Sequence, residues 1–181
     1  ISEADIICFG SLAQRNRISR ESIVKMLMSA GPETQVVFDI NLRQHYFNKE
    51  IIESSLQSCH VLKLNGEELQ VISGLLGLAG SREENQVIKL MERYDLQLLA
   101  LTHGSEGSLL MTPSEKSYLP TPRVKVKDTV GAGDSFTAAM IVGFAKGEPL
   151  KELHQKAVDI SAFVCTREGA MPEYNEIPIL K

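Results

Sequence analysis

The sequence predicts an α/β fold built on a mostly parallel sheet, and two observations carry that prediction. Short apolar, β-branched runs alternate with longer segments of helical period, the pattern of successive βαβ units. No internal repeat, low-complexity tract or Pro/Ser-rich linker interrupts the 181 residues, so they read as one domain with a sizeable core.

The elements follow in order. Strands are expected at Asp5 to Phe9, Gln35 to Ile40, Val61 to Leu64 and Gln97 to Leu101. A hairpin is expected through Leu109 to Met111 and Lys116 to Leu119, and a last strand at Arg123 to Lys127. Between the first two strands, Ser19 can cap a helix carrying Ile23, Met26, Leu27 and Ala30, which Gly31-Pro32 stops. Ser81, with Glu84 three residues on, forms a capping box ahead of Val87, Ile88, Met91 and Tyr94. An apolar helix begins near Ser135 and ends at Gly147, and Pro149 suits the first turn of its successor.

Composition removes several classes of function. The net charge is −4, and the Lys and Arg residues are scattered without a basic stripe, which argues against a nucleic-acid partner. Three cysteines without CxxC spacing and four histidines without a zinc pattern fit a reducing, cytoplasmic protein. The apolar stretches around Val71 to Ala79 and Ala138 to Ala145 are too short for a membrane span, so no membrane association is expected. The chain opens Ile1-Ser2-Glu3-Ala4-Asp5 without an initiating Met or a signal pattern, an opening that reads as the interior of a larger protein.

In an open parallel sheet, ligands bind beyond the carboxyl ends of the strands, where helix N-termini also collect. Four polar segments fall at such ends: Asp39 to Arg43, Asn65 to Glu68, Thr102 to Gly107, and Asp128 to Asp134. In the last, Gly131-Ala132-Gly133 lets backbone amides approach an anion closely just before a helix. A carboxylate at Asp134 repels an anion, so anion binding alone does not explain it. A group that accepts the proton of an attacking hydroxyl, beside amides that neutralise phosphoryl oxygens, does explain it. The same residues also read as a tight turn with an acid at a helix N-terminus. Neither the GK[ST] of a P-loop nor the third glycine of GxGxxG is present.

The run Asp128 to Ile141, DTVGAGDSFTAAMI, resembles the C-terminal signature of the ribokinase-like (PfkB-type) carbohydrate kinases. Asn65 and Glu68 match that family's NxxE, Thr102, Gly104 and Gly107 its TxGxxG, and Thr166 to Ala170 its closing segment. The resemblance covers nearly the whole chain. It implies a three-layer α/β/α sandwich, with residues 1–181 as the C-terminal nucleotide-binding and catalytic part of a single kinase domain. It also implies that Asp134 is the catalytic base and that Gly131, Ala132 and Gly133 form an anion hole. By the same resemblance Asn65 and Glu68 help hold Mg²⁺ and the ATP phosphates, with Glu68 acting on the metal through water. Thr102, Gly104 and Gly107 line the phosphates, and Val158 and Ala162 lie near the adenine. Asp128, with the segment around Gly169, occupies the place where many relatives bind a monovalent cation such as K⁺.

Each of these positions has a plain structural alternative: a helix cap for Asn65 and Glu68, a hairpin turn for Thr102 to Gly107, core packing for Val158 and Ala162, and a turn for Asp128. Asp39-Ile40-Asn41-Leu42-Arg43 resembles the DxNxR stretch of fructokinase-like and 2-keto-3-deoxygluconate kinase-like members. Arg43 could clamp a phosphate there, and Asn41 and Arg43 tilt the substrate toward a ketose or keto-sugar acid. A solvated loop is the alternative, and His60 and His103 read as surface or hydrogen-bonded core residues.

The family's N-terminal strands, its lid and most of its sugar contacts have no counterpart here. The expectation is therefore a chain that is catalytically poor alone and that associates with another chain or a missing N-terminal segment. The competing functions are a nucleoside kinase of the same family and a nucleotide-binding regulatory module without turnover.

Overall fold

The computed structural model describes residues 1–80 and 82–173. Contacts divide the chain into two units, one of Ile1–Thr102 with Met111–Ser114, the other of His103–Leu110 with the chain from Glu115 onward.

The first unit is a run of parallel βα connections. Strands β1 (Ile6–Gly10), β2 (Gln35–Asp39), β3 (Val61–Asn65) and β4 (Leu98–Thr102) lie side by side in chain order, all parallel. Their registers place Phe9 opposite Phe38, whose rings stack at 5.0 Å, and Asp39 opposite Lys63. Val37, Phe38, Val61, Leu62, Leu64 and Leu98 to Leu101 are buried, as expected for strands covered on both faces.

The helices of this unit are α1 (Arg17–Met28), α2 (Lys49–Gln57), α3 (Gly66–Leu76) and α4 (Glu83–Tyr94), with a 3₁₀ turn at Leu12–Arg15. One expected cap changes. The Asn16 side chain, not Ser19, accepts the Ile18 and Ser19 N–H groups and starts α1 earlier. Ser81 lies outside the described residues, and α4 starts at Glu83 behind Arg82, which makes no side-chain cap bond. Val87, Leu90 and Met91 form the inward face of α4, while Ile88 is exposed.

In the second unit β5 (Ser108–Met111, its last residue assigned to the first unit) and β6 (Lys116–Leu119) are successive neighbours. They are followed by α5 (Ala132–Ala145) and α6 (Leu150–Cys165), which pack on each other. Gly143 permits that packing, because a Cβ there would stand 2.7 Å from the Leu153 Cβ. Arg123 to Lys127 form no strand; Lys127 N–H instead donates to the Cys165 carbonyl at 2.8 Å. Three of those residues are Lys or Arg, and an exposed charged run that finds no neighbouring strand stays irregular. Pro149 is the N-cap of α6 and not its first helical residue. No helix among the described residues is long and apolar enough to cross a membrane.

Candidate functional site

In the first unit, parallel strands β2, β3 and β4 bring Asp39 to Arg43, Asn65 to Glu68, and Thr102 to a common carboxyl edge. The capping box read from the sequence is present: Asn65 Oδ1 accepts Glu68 N–H at 2.9 Å, and Glu68 Oε2 accepts Asn65 N–H at 2.8 Å. Glu68 does more than cap. Its other oxygen accepts the Leu42 N–H at 2.9 Å, so one buried carboxylate fastens the start of α3 to the loop carrying Asn41 and Arg43.

That loop is unusual in its backbone, with positive φ at Asn41 (42°) and Gln44 (48°). Such angles are uncommon for non-glycine residues and require local support, which the Glu68 bond to Leu42 provides. The loop leaves Arg43 exposed. Thr102, at the end of β4, directs its hydroxyl toward the Leu64 carbonyl at 3.5 Å, the outer limit of a hydrogen bond.

Lys63 was not singled out by sequence reasoning. Its ammonium lies 3.1 Å from Asp39 Oδ1, both side chains being nearly buried. A lysine inside an apolar strand was the available signal, since an ammonium is rarely buried unless paired.

In the second unit, Gly104 (φ 56°) and Gly107 (φ 142°) shape the turn between β4 and β5, closed by His103 N–H donating to the Gly107 carbonyl at 2.8 Å. Gly107 has no room for a side chain: a Cβ would sit 2.6 Å from the Leu119 carbonyl oxygen.

The GAGD segment is itself the start of α5. Gly131 is the N-cap at φ 82°, Ala132 opens the helix, and Asp134 lies in its first turn. A Cβ at Gly131 would meet the Ala170 carbonyl oxygen at 2.6 Å and its Cα at 2.8 Å. Glycine is therefore required both by conformation and by the closeness of the Ala170 backbone. The Ala132 N–H is directed to the Thr129 carbonyl at 3.3 Å, whereas Gly131, Gly133 and Asp134 N–H find no backbone acceptor among the described residues. Those three amides, at the positive end of a 14-residue helix, are the ones open to an anion. Asp134 is exposed, and its carboxylate accepts no bond from the described residues. It is not occupied as a cap.

Two further contacts fix this turn. Asp128 accepts Val130 N–H at 3.0 Å through one oxygen and Gly169 N–H at 3.1 Å through the other, clasping the turn to the segment after α6. These backbone bonds, Val130 first, hold its carboxyl below the usual Asp range. Ser161 on α6 donates its hydroxyl to the Ala132 carbonyl at 2.9 Å. That contact carries no local sequence signal, because it joins residues 29 apart.

Val158 and Ala162 lie one turn apart on α6, buried. On the same helix His154 is fully enclosed, with Nε2 2.8 Å from Ser108 Oγ and Nδ1 2.8 Å from Ser117 Oγ. His60 and His103 behave as expected: His60 Nδ1 accepts the Val36 N–H at 3.2 Å, and both rings are part-exposed.

The described residues contain no group of three or more acidic, His or Cys side chains set to hold a metal directly. Glu68 fits water-mediated metal binding better, since each oxygen already accepts one N–H and retains one lone pair.

The family model described as pfkB family carbohydrate kinase matches residues 1–177. Aminoimidazole riboside kinase of Salmonella typhimurium is 28% identical over 176 residues, covering 90% of this chain and 53% of the relative. The structure of fructokinase from Xylella fastidiosa with bound ATP superposes with a TM-score of 0.79 at 25% identity, covering 93% of this chain and 57% of that one. Ribokinase from Thermotoga maritima gives a TM-score of 0.73 at 28% identity, over 93% and 52%. The fold is thus ribokinase-like, and the chain spans about half the length of these relatives.

Proposed function

Since the chain belongs to the pfkB family of carbohydrate kinases, we propose that it carries the ATP-side machinery and the general base of a sugar kinase. The observation that carries this reading is the start of α5. An exposed, unengaged Asp134 carboxylate stands in the same helical turn as the open N–H groups of Gly133 and Asp134.

Those groups have complementary work in phosphoryl transfer. Asp134 accepts the proton of the sugar hydroxyl as its oxygen attacks the γ-phosphorus of ATP, and the leaving ADP carries away the displaced electron pair. The amides of the Gly131 to Asp134 turn stabilise charge on the transferring oxygens, Gly131 and Gly133 in the part first expected of them and Asp134 in place of Ala132, whose N–H is directed to Thr129.

In the second unit, Gly104 and Gly107 give a side-chain-free turn along the phosphates, and Val158 and Ala162 offer apolar contact to adenine. In the first, Thr102 adds a hydroxyl, and Asn65 and Glu68 orient Mg²⁺ through water. The metal would supply charge neutralisation at the phosphates. Asn41 and Arg43 face the acceptor or its phosphate, and Asp128 serves as clasp and as the K⁺ locus. All of residues 1–181 then act as one part of a single kinase domain.

A sugar acceptor, of ketose or keto-sugar acid type, is favoured by the Asn41 and Arg43 loop and by the likeness to a fructokinase. The likeness to an aminoimidazole riboside kinase supports a second reading, a nucleoside-type acceptor. An assay with ATP against sugars and nucleosides separates the two. Asp134→Asn should leave ATP binding intact and lower turnover by about two to four orders of magnitude; turnover within a few-fold of the parent removes Asp134 as the base.

A further inference from the structure

Apart from the residues assigned above, the first unit holds a basic cavity of about 360 Å³, lined by Arg15, Arg17, Arg20, His45, Tyr46 and Asn48 among others. Its two walls are the 3₁₀ turn with the start of α1, which follow β1, and the 45–48 segment, which follows β2. Since β1 and β2 are adjacent and parallel, both walls grow from their carboxyl ends, the edge of an α/β sheet where ligands collect.

The floor is fixed. Gln14, buried, donates to the Gly10 carbonyl at 3.2 Å and to Ser55 Oγ at 2.9 Å, and Ile51 beside it is buried as well. Around this floor stand three guanidinium groups and one imidazole. Arg17 pairs with Glu21 at 2.5 Å and Arg20 with Glu50 at 2.9 Å, so two carboxylates are set against three arginines.

Arg15 has no carboxylate partner among the described residues. It donates to the Leu12 carbonyl at 2.8 Å and lies 5.8 Å over the Tyr46 ring, a placement that orients its fork without neutralising it. Each guanidinium offers five N–H donors, and each donates to one oxygen acceptor among the described residues. Two helix starts, behind the caps Asn16 and Asn48, border the same cavity, and α1 carries no acid in its first turn. Their partial positive charge adds to that of the side chains.

Multiple guanidinium forks recognise phosphate oxygens bidentately. The cavity volume lies within the range of small-molecule sites and exceeds what a bare oxyanion fills. Tyr46 and Phe47 supply faces suited to the carbon skeleton of a sugar. We propose that this pocket is a binding site for a phosphomonoester of sugar size, separate from the Gly131 to Asp134 turn.

The test is titration calorimetry on this chain with a hexose phosphate, the parent hexose and inorganic phosphate, repeated with the Arg15→Ala/Arg17→Ala double variant. Both arginines are exposed, so their removal leaves the core intact, which circular dichroism checks. Saturable, salt-sensitive binding of the hexose phosphate, weakened about tenfold or more in the double variant and absent for the hexose, is expected. Arg82→Ala, an exposed arginine outside the pocket, should leave it unchanged. Equal affinity for inorganic phosphate would overturn the sugar part of the assignment. No saturable binding, or binding unaffected by the double substitution, would overturn the site itself.

Discussion

His154 sits between two serine hydroxyls and is fully buried. In its neutral form one ring nitrogen donates to a serine while the other accepts, so both ends are satisfied. Burial pushes its pKa from 6.5 down to about 4. A group that is neutral when folded and basic when unfolded favours folding above the unfolded value. Its contribution is complete above 6.5, falls as pH drops, and is spent near 4. Chemical denaturation from pH 7 to pH 4 should show this loss, and His154→Asn, which keeps hydrogen-bonding capacity without titrating there, should flatten it. An unchanged pH slope would show that His154 is protonated in the folded state. Gly131→Ala should cost about 2 kcal/mol or more from its left-handed backbone and the Ala170 contact. Denaturant midpoints would check that loss. At this scale the candidate residues were legible in the sequence, because GAGD and NxxE are short local runs. It did not show Ser161 or His154, whose partners lie 29 to 46 residues away and declare themselves only in three dimensions.

Helix α1 illustrates how a local rule finds the element and misses its edge. Ser19 and Asn16 are both good caps, and hydrophobic period alone does not choose between them. The Asn16 side chain is the one that closes on the helix. Asn16→Ala should therefore lower stability by about 1 kcal/mol, and Ser19→Ala by less than half of that, as read from urea midpoints. Strand β3 raises a different point. Lys63 is buried because Asp39 lies beside it on β2, so Lys63→Met should destabilise by about 3 kcal/mol, whereas pairing it with Asp39→Leu should recover part of the loss. Failure of the double substitution to recover anything would mean that Asp39 is held chiefly by other groups. Strands β2 to β5 were legible because buried strands form apolar runs, and β6 (KSYL), largely exposed, was legible as the second arm of a hairpin. Arg123 to Lys127 misled because its alternation of Val with Arg or Lys is a strand pattern without a strand to pair with.

For the whole molecule, the α/β class and the kinase family were both readable, since the signature segments span nearly the entire sequence. What the sequence could only suggest is how much apolar surface stays uncovered. Among the described residues strand β1 has a neighbour on one side, and α1 buries no residue, leaving Ile18 66% and Met28 82% exposed. An open strand edge beside such a helix favours association. Light scattering on this chain should show mass rising with concentration, and Ile18→Lys/Met28→Lys should reduce the rise; one monomeric mass at every concentration would contradict this. Glu68 has a separate consequence, which isotope labelling can read. Its carboxylate holds the amides of Asn65 and Leu42, the latter 26 residues away, so in heavy water both protons should be released by one opening event. Their exchange rates would then rise and fall together, making a single side chain the timekeeper for a strand end and a loop.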